Sequence, residues 1–227
     1  MTKLVITIAV PGLPFSGETF DKQSLGGSES AGYYLARALA KLKHSVTVFC
    51  NTEKAVRCAD VDYLPLNTFR PYVEFTPHDI CIVQRSPELL QGYNQAKFTL
   101  LWCHDLAMRR SEGVYRGVSW NYDKVAVLSE FMRGQYKEVY GLQDSQLFLT
   151  RNGVDLAAIE QARLDFEAQK TVTRNPLSMA FSARPERGLD VMLAEVMPRI
   201  LKQEPNARLF VSMYHNPVDQ LADFYAH

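Results

Sequence analysis

The sequence predicts an α/β fold in which helices cover both faces of a parallel sheet. The first observation is a set of short, almost continuous apolar runs, among them residues 3–10, 79–83 and 98–103. Parallel strands that are buried on both sides have this composition. The second observation is that segments long enough for a helix separate the runs. The third is the pair Gly26-Gly27 between the first run and a helical pattern, which favours a βαβ unit.

The strands and helices of this fold can be placed in chain order. Strands are predicted at residues 3–10, 45–50, 61–64, 79–83, 98–103, 124–128 and 146–149. The first helix follows the glycine pair, because apolar residues recur at helical spacing from Ala31 to Leu42. Further helical patterns cover residues 130–140 and 157–170. All predicted loops that follow a strand therefore lie at one edge of the sheet, where open α/β sheets bind ligands.

A second, shorter unit is predicted after a linker at residues 171–176. Its predicted elements are a strand at 177–182, a basic turn at 183–188, a helix at 189–201 that Pro198 interrupts, and a strand at 207–213. A length of 227 residues exceeds one typical domain and falls short of two. We therefore expect a complete first domain at residues 1–174 and a truncated second domain at residues 175–227.

Charge and cysteine content narrow the class of protein. Basic and acidic residues balance at 25 each, so no overall field favours nucleic acid or an anionic membrane. No apolar run approaches the roughly 20 residues of a membrane span. The four cysteines have no metal-binding or disulfide spacing, and we expect a reducing cytoplasm and no metal. Cys81 and Cys103 lie in apolar strands, where we expect packed thiols.

Two stretches of the first domain are candidates for ligand contact. The pair Gly26-Gly27 precedes a helix that we expect Ser28 to cap, and a helix start favours a phosphate or a polar sugar. His104 and Asp105 directly follow a predicted strand, at its carboxyl end. Each stretch has a structural alternative, namely a tight turn for the glycines and a packed histidine for His104.

Five motifs together resemble the retaining GT-B glycosyltransferases of family 4, the group that includes glycogen synthase-like and mannosyltransferase-like enzymes. In order along the chain they are Leu25-Gly26-Gly27-Ser28-Glu29, Trp102-Cys103-His104-Asp105, Leu128-Ser129-Glu130, Asn152-Gly153-Val154-Asp155 and the stretch from Ser182 to Asp190. The resemblance runs through nearly the whole chain. It implies a Rossmann-like N-terminal domain that binds the acceptor, followed by the start of a second Rossmann-like domain that binds the donor.

The resemblance also implies roles for the matching residues. Gly26 and Gly27 would lie near the donor diphosphate and the acceptor. His104 would approach the transferred sugar as a catalytic group, with Asp105 beside it to orient the imidazole or to contact the acceptor. Asn152 is a candidate for the binding site, although a turn that leads the chain into the second domain is the favoured interpretation of Asn152-Gly153.

A basic turn of the second domain has an implied role as well. Arg184 and Arg187 would neutralise the diphosphate leaving group, although relatives usually space this pair further apart. A solvated charged turn is the alternative. The family's Glu-x7-Glu motif lies beyond residue 227, so we expect this chain to be an N-terminal portion that is inactive alone. We expect its incomplete second domain to leave an exposed apolar patch or to self-associate.

The resemblance thus implies a hexosyltransferase that moves a sugar, with retention, from a nucleotide-diphosphate sugar to a glycan or a lipid-linked acceptor, as in polysaccharide biosynthesis. We expect a cytoplasmic location, with peripheral contact at the inner membrane face left open. A non-catalytic carbohydrate-binding or partner-binding module, completed by a separate second half, is the alternative. A nicotinamide-dependent oxidoreductase is disfavoured, because no G-x-G-x-x-G sequence follows the first strand.

Overall fold

The computed structural model describes residues 2–22, 25–168, 175–183 and 185–212. The chain forms two compact units, Met1–Val154 and Asp155–His227. The predicted division after residue 174 borders residues 169–174, which lie outside the described ranges, and it stays a prediction.

The first unit contains a sheet of eight strands. They are β1 (Val5–Val10), β2 (Ser45–Cys50), β3 (Val56–Cys58), β4 (Val61–Pro65), β5 (His78–Gln84), β6 (Ala96–Trp102), β7 (Lys124–Val127) and β8 (Leu147–Leu149). Their order across the sheet is β3-β4-β2-β1-β5-β6-β7-β8. All neighbours are parallel except β3 and β4. The predicted α/β class with a parallel sheet is confirmed.

Four helices cover this sheet: α1 (Gly27–Lys41), α2 (Phe69–Phe75), α3 (Glu112–Gly117) and α4 (Glu130–Tyr140). Short 3₁₀ turns lie at Phe20–Lys22, Leu66–Thr68, Pro87–Leu90, Arg109–Ser111 and Asp144–Gln146. Helix α1 packs on one face of the sheet, and α2, α3 and α4 pack on the other. The unit therefore has two hydrophobic cores, one on each side of the sheet.

The side chains of β1 show how one strand serves both cores. Ile8 packs with Tyr33 and Ala36 of α1, whereas the next residue, Ala9, lies in the opposite core with Phe69 of α2. Alternation along a strand sends successive side chains to opposite faces, and the burial of both sets explains why the strand sequence is continuously apolar.

The cysteines behave as the sequence predicts. Cys81 and Cys103 are buried in strand β5 and just after strand β6. Burial raises the pKa of Cys81 to about 12 and that of Cys103 to about 11. Both thiols are therefore protonated at neutral pH and serve as packing groups.

Three short elements were not predicted, namely β3, α2 and α3. Strand β3 contributes three residues to the edge of the sheet and pairs antiparallel with β4, from Val56 opposite Tyr63 to Cys58 opposite Val61. An element this short carries too few residues for a periodic pattern to emerge.

The second unit begins with helix α5 (Leu156–Ala168). Its other elements are β9 (Ser178–Phe181), α6 (Leu189–Val191), a π-helical turn (Met192–Val196), α7 (Met197–Gln203) and β10 (Arg208–Val211). Strands β9 and β10 pair in parallel, so the predicted partial Rossmann-like unit is confirmed as one strand-helix-strand crossover. The expected interruption at Pro198 is also present, because Pro198 lies in the first turn of α7, just after the π-helical turn.

Large apolar side chains of the second unit are exposed. Leu193 and Phe210 have 53% and 60% of their surface accessible. Such side chains fit the apolar surface that we expected there, and self-association through it stays a prediction. In the described ranges, no helix is both long enough and apolar enough to cross a membrane.

Candidate functional site

The candidate site lies where the strand order of the first sheet reverses. The chain leaves β1 toward β2 on one side, and later returns to β5 on the other side of β1. The connections that follow the two strands diverge at this point and leave a crevice at the carboxyl edge of the sheet. The start of α1 and the residues that follow β5 and β6 meet there.

Helix α1 presents an open N-terminus to the crevice. Gly26 is the N-cap residue, with φ −69° and ψ 162°, and its carbonyl accepts the Ser30 N–H at 3.1 Å. No side chain caps the helix, so the prediction that Ser28 is the cap is wrong. A Cβ atom built on Gly27 would meet nothing within 4 Å. A ligand can therefore approach the first turn, where N–H groups lack intrahelical partners.

The buried carboxylate of Glu29 holds this helix start in place. Glu29 is 3% exposed; its Oε1 accepts the Leu13 N–H at 3.0 Å, and its Oε2 accepts the Ser28 hydroxyl at 3.0 Å. The loop after β1 passes so close that a Cβ on Gly12 would lie 1.9 Å from Oε1. Gly12 also has a φ of +142°, which strongly favours glycine. Sequence reasoning named the glycine pair but missed Gly12.

Arg85 is a site residue that sequence reasoning missed. It follows β5 with a left-handed φ of +63°, an uncommon conformation for a residue with a side chain. Its Nε donates to Asp105 Oδ2 at 2.7 Å, and its Nη1 donates to the Ser28 hydroxyl at 3.1 Å. The signal was present, because Arg85 is the second residue after the strand predicted at 79–83, which reaches the same edge of the sheet as the strand before His104.

His104 is anchored by a second residue that sequence reasoning missed. Gln84, which has no exposed surface, places its Nε2 2.8 Å from the His104 Nε2 and 2.8 Å from the Ser28 carbonyl oxygen. The His104 ring also packs against Trp102, with 4.6 Å between ring centroids. Burial, reinforced by the positive charge of Arg85, lowers the pKa of His104 to about 4. His104 is therefore neutral at physiological pH.

Asp105 lies beside His104, and its side chain is paired with Arg85. The carboxylate is half exposed. The backbone carbonyl oxygen of Asp105 accepts a hydrogen bond from the Tyr136 hydroxyl at 3.0 Å. Among the described residues, the hydrogen bonds of the His104 ring go to Gln84 and those of the Asp105 carboxylate go to Arg85.

A cavity of about 120 Å³ opens next to these groups. Its lining combines the charged groups of the site with three tyrosines of α3 and α4: Arg85, His104, Asp105, Tyr115, Tyr136 and Tyr140. Burial raises the pKa of Tyr115 and of Tyr136, so both phenols stay neutral. The cavity thus places one cation, Arg85, near the carboxylates of Asp105 and Glu88 and beside tyrosine hydroxyls that bond within the protein, which suits a polar ligand group without negative charge. In the described part of the chain, no three His, Cys, Asp or Glu side chains cluster as a metal site would require.

The remaining predicted site residues lie elsewhere. Asn152 is exposed and follows the edge strand β8, two strands away from β6, which corresponds to roughly 10 Å across the sheet. Arg187 is exposed at the end of the turn Pro185–Arg187 in the second unit. Arg184 lies outside the described residues. The structure thus brings together Gly26, Gly27, His104 and Asp105, whereas Asn152 is not part of this group.

Solved structures of other proteins share this fold. A glycosyltransferase from Rickettsia africae superposes with a TM-score of 0.57 at 12% identity, over 99% of this chain and 71% of the other. Sucrose-phosphate synthase from Thermosynechococcus elongatus gives a TM-score of 0.56 at 14% identity, over 97% and 73%. The wall teichoic acid polymerase TagF gives 0.55 at 8% identity, over 94% and 57%. No family model matches the sequence, and no curated protein does.

These likenesses concern the fold. At 14% identity or less they show that the first unit is a Rossmann-like domain of the GT-B kind. Membership of family 4 and the retaining mechanism stay predictions, and so do the roles of the individual site residues.

Proposed function

We propose that this chain is the acceptor-side portion of a retaining glycosyltransferase that moves a sugar from a nucleotide-diphosphate sugar to a glycan or lipid-linked acceptor. The observation that carries the proposal is the meeting of an open helix N-terminus, Arg85 and neutral His104 at the point where the strand order reverses. The likeness in fold to a structure that is named a glycosyltransferase supports it.

The chemistry of sugar transfer requires groups of these kinds. The bond between the anomeric carbon and a diphosphate oxygen breaks, and a bond to the acceptor hydroxyl oxygen forms. Negative charge collects on the leaving diphosphate while the sugar ring becomes oxocarbenium-like. The first turn of α1 and the Arg85 guanidinium can stabilise that charge, because N–H donors and a cation already point into the crevice.

The other groups are assigned by their chemistry and position. His104 is a hydrogen-bond partner for a hydroxyl of the transferred sugar, and the cavity beside Asp105 receives the acceptor. For Arg184 and Arg187 we keep the role that the family resemblance implies, which is to neutralise a diphosphate. We assign no protein nucleophile and no metal ion.

Binding of nucleotide sugars tests this function. We expect UDP-glucose or GDP-mannose to shift the amide NMR signals of Gly27 and Ser28, with a weak Kd of about 1 mM for this chain. Arg85→Gln removes one charge-assisted hydrogen bond and should weaken binding about tenfold. Arg57→Gln is the matched control, because Arg57 is likewise paired with a carboxylate: its Nη1 donates to both oxygens of Asp62 across the β3–β4 pair, away from the crevice.

A second variant tests the helix start itself. A valine at position 27 would fill the open space in front of α1, so Gly27→Val should abolish nucleotide-sugar binding while the unfolding free energy changes by less than about 1 kcal/mol. Unfolding caused by Gly27→Val would make the loop structural and contradict the site. Glycan binding without a response to any nucleotide sugar would instead favour a carbohydrate-binding module. A micromolar Kd would contradict the weak binding expected of this portion.

A further inference from the structure

The amide of Gln84 has an orientation that its surroundings decide. Its Nε2 lies 2.8 Å from the Ser28 carbonyl oxygen, which can only accept a hydrogen bond. The opposite orientation would place Oε1 against that oxygen, and two acceptors would face each other in a buried position. The NH₂ group therefore points at Ser28.

This orientation determines which nitrogen of His104 carries the proton. An amide NH₂ has two hydrogens, of which one goes to the Ser28 oxygen, and the other faces His104 Nε2 at 2.8 Å. Nε2 must then accept, so the proton of the neutral ring is on Nδ1. We infer that Gln84 is a positioning residue that holds His104 as the Nδ1–H tautomer and leaves Nδ1–H as the donor for a ligand.

The surroundings of Gln84 and His104 agree with a neutral, fixed ring. The charged groups that face His104 are Arg85, Asp105 and Glu29. Arg85 disfavours a second positive charge on the ring, and the carboxylates of Asp105 and Glu29 act in the opposite direction. Within the described residues Nδ1 has no hydrogen-bond partner, so its proton is available.

Helix α1 leaves room for the amide because residue 32 is a glycine. A Cβ on Gly32 would lie 3.2 Å from Gln84 Oε1 and 2.7 Å from a methyl group of Val10. The helix can thus pack closely on β1 and β5 and bring the Ser28 oxygen to the amide. Gly32 therefore supports the contact that orients Gln84.

The tautomer is a property of the chain, whereas its importance for sugar transfer rests on the proposed function. A neutral Nδ1–H can donate to a sugar hydroxyl or ring oxygen without adding positive charge beside an oxocarbenium-like ring. A protonated imidazole would instead oppose that charge. The arrangement thus favours a ligand group that accepts a hydrogen bond and is not itself anionic.

Two-bond ¹H–¹⁵N NMR of the imidazole rings tests the tautomer without any substrate, because protonated and unprotonated ring nitrogens have well-separated shifts. The chain supplies both references. His44 Nδ1 accepts the Leu4 N–H, so its neutral ring has the proton on Nε2. His78 Nδ1 lies 2.7 Å from the Thr76 oxygen and must donate. The signals of His104 are assigned as those that are missing from the spectrum of the His104→Gln variant.

We expect wild-type His104 to show the pattern of His78 at pH 7, and the pattern of His44 would overturn the inference. Gln84→Glu should move the His104 proton to Nε2 or charge the ring, because a carboxylate accepts where the amide donates, and the signals of His44 and His78 should not change. An unchanged His104 tautomer in folded Gln84→Glu would also overturn it. If the variant does not fold, the wild-type spectrum alone decides.

The two proposals can fail separately. A His78-like pattern together with no response to nucleotide sugars would keep the role of Gln84 and reject the proposed function. A His44-like pattern with the expected nucleotide-sugar binding would reject the role of Gln84 and keep the proposed function.

Discussion

Helices α1 and α4 both start at the carboxyl edge of the same sheet, but they satisfy their first turns in different ways. In α4 the hydroxyl of Ser129 accepts the Met132 N–H at 3.1 Å, so the helix caps itself. In α1 the N-cap is Gly26, and Ser28 is hydrogen-bonded to Glu29 and Arg85 instead.

The difference separates a structural helix start from one that is available to a ligand. A cap such as that of α4 stabilises a protein by about 1 kcal/mol and occupies donors that a ligand would need. Helix α1 lacks that contribution, and the buried carboxylate of Glu29 fixes its position from the side. The following predictions test whether this contrast is correct, from the largest expected effect to the smallest.

Gly12→Ala should cause the largest loss of stability. Alanine at a φ of +142° is strained, and its Cβ would displace the buried Glu29 carboxylate, so we expect a loss of about 3 kcal/mol. Urea unfolding followed by tryptophan fluorescence reports on this unit, because both tryptophans, Trp102 and Trp120, lie in it. The control is Gly27→Ala, which meets no atom and should be neutral or slightly stabilising. Equal losses in the two variants would contradict the support of α1 by Glu29.

Replacement by aspartate should destabilise the protein at Ser28 but not at Ser129. Ser129→Asp should change stability by less than about 0.5 kcal/mol, because aspartate caps a helix as well as serine does. Ser28→Asp should cost about 2 kcal/mol, since a carboxylate would replace a hydroxyl that donates to buried Glu29. The same urea experiment measures both, and if Ser28→Asp is tolerated as well as Ser129→Asp, Ser28 acts as a cap after all.

The contrast also explains what the sequence could and could not predict. The apolar runs predicted seven of the eight strands of the first sheet, because apolar residues dominate these segments and those of the central strands are buried on both faces. Strand β3 was missed because three residues at a sheet edge carry no such pattern. The residues 130–140 were predicted as a helix with the bounds that α4 has.

The candidate site was predictable in location and not in detail. The rule that ligands bind at the carboxyl ends of parallel strands placed Gly27 and His104 together. Serine before a helix is a good cap on average, and only tertiary contacts with Glu29 and Arg85 redirect Ser28. Arg85 required the same strand-end rule to be applied to β5, and its left-handed backbone leaves no mark in the sequence.

Acidification should reveal the buried state of His104. Its pKa is about 4 in the folded protein against an ordinary 6.5, so the unfolded chain binds more protons between these values. Stability should therefore be full above pH 6.5 and fall as the pH drops toward 4, by at most ~1.4 kcal/mol per pH unit.

The variant His104→Gln isolates this contribution. In this variant the free energy of unfolding, measured in urea, should lose its additional fall between pH 6.5 and pH 4. Paired carboxylates such as Asp79 and Asp144, whose pKa values are lowered, contribute to the loss of stability only at still lower pH. An identical slope in wild type and variant would show that His104 is not held neutral by the fold.

The C-termini of the two helices provide the last and smallest test, away from the site. Helix α4 ends at Gly141 with φ +71°, and α1 is followed by Lys43 with φ +70°. Because a residue with a Cβ is strained in this region, Lys43→Gly should stabilise the protein by about 0.5 kcal/mol, whereas Gly141→Ala should destabilise it by about 1 kcal/mol. In a thermal scan these changes amount to shifts in Tm of roughly +1 to +2 °C and −2 to −4 °C.

Neither variant should alter nucleotide-sugar binding, because both positions lie at the helix ends opposite to the crevice. If Lys43→Gly weakened binding as much as Arg85→Gln, the N-terminus of α1 would not be the part of the helix that matters for the ligand.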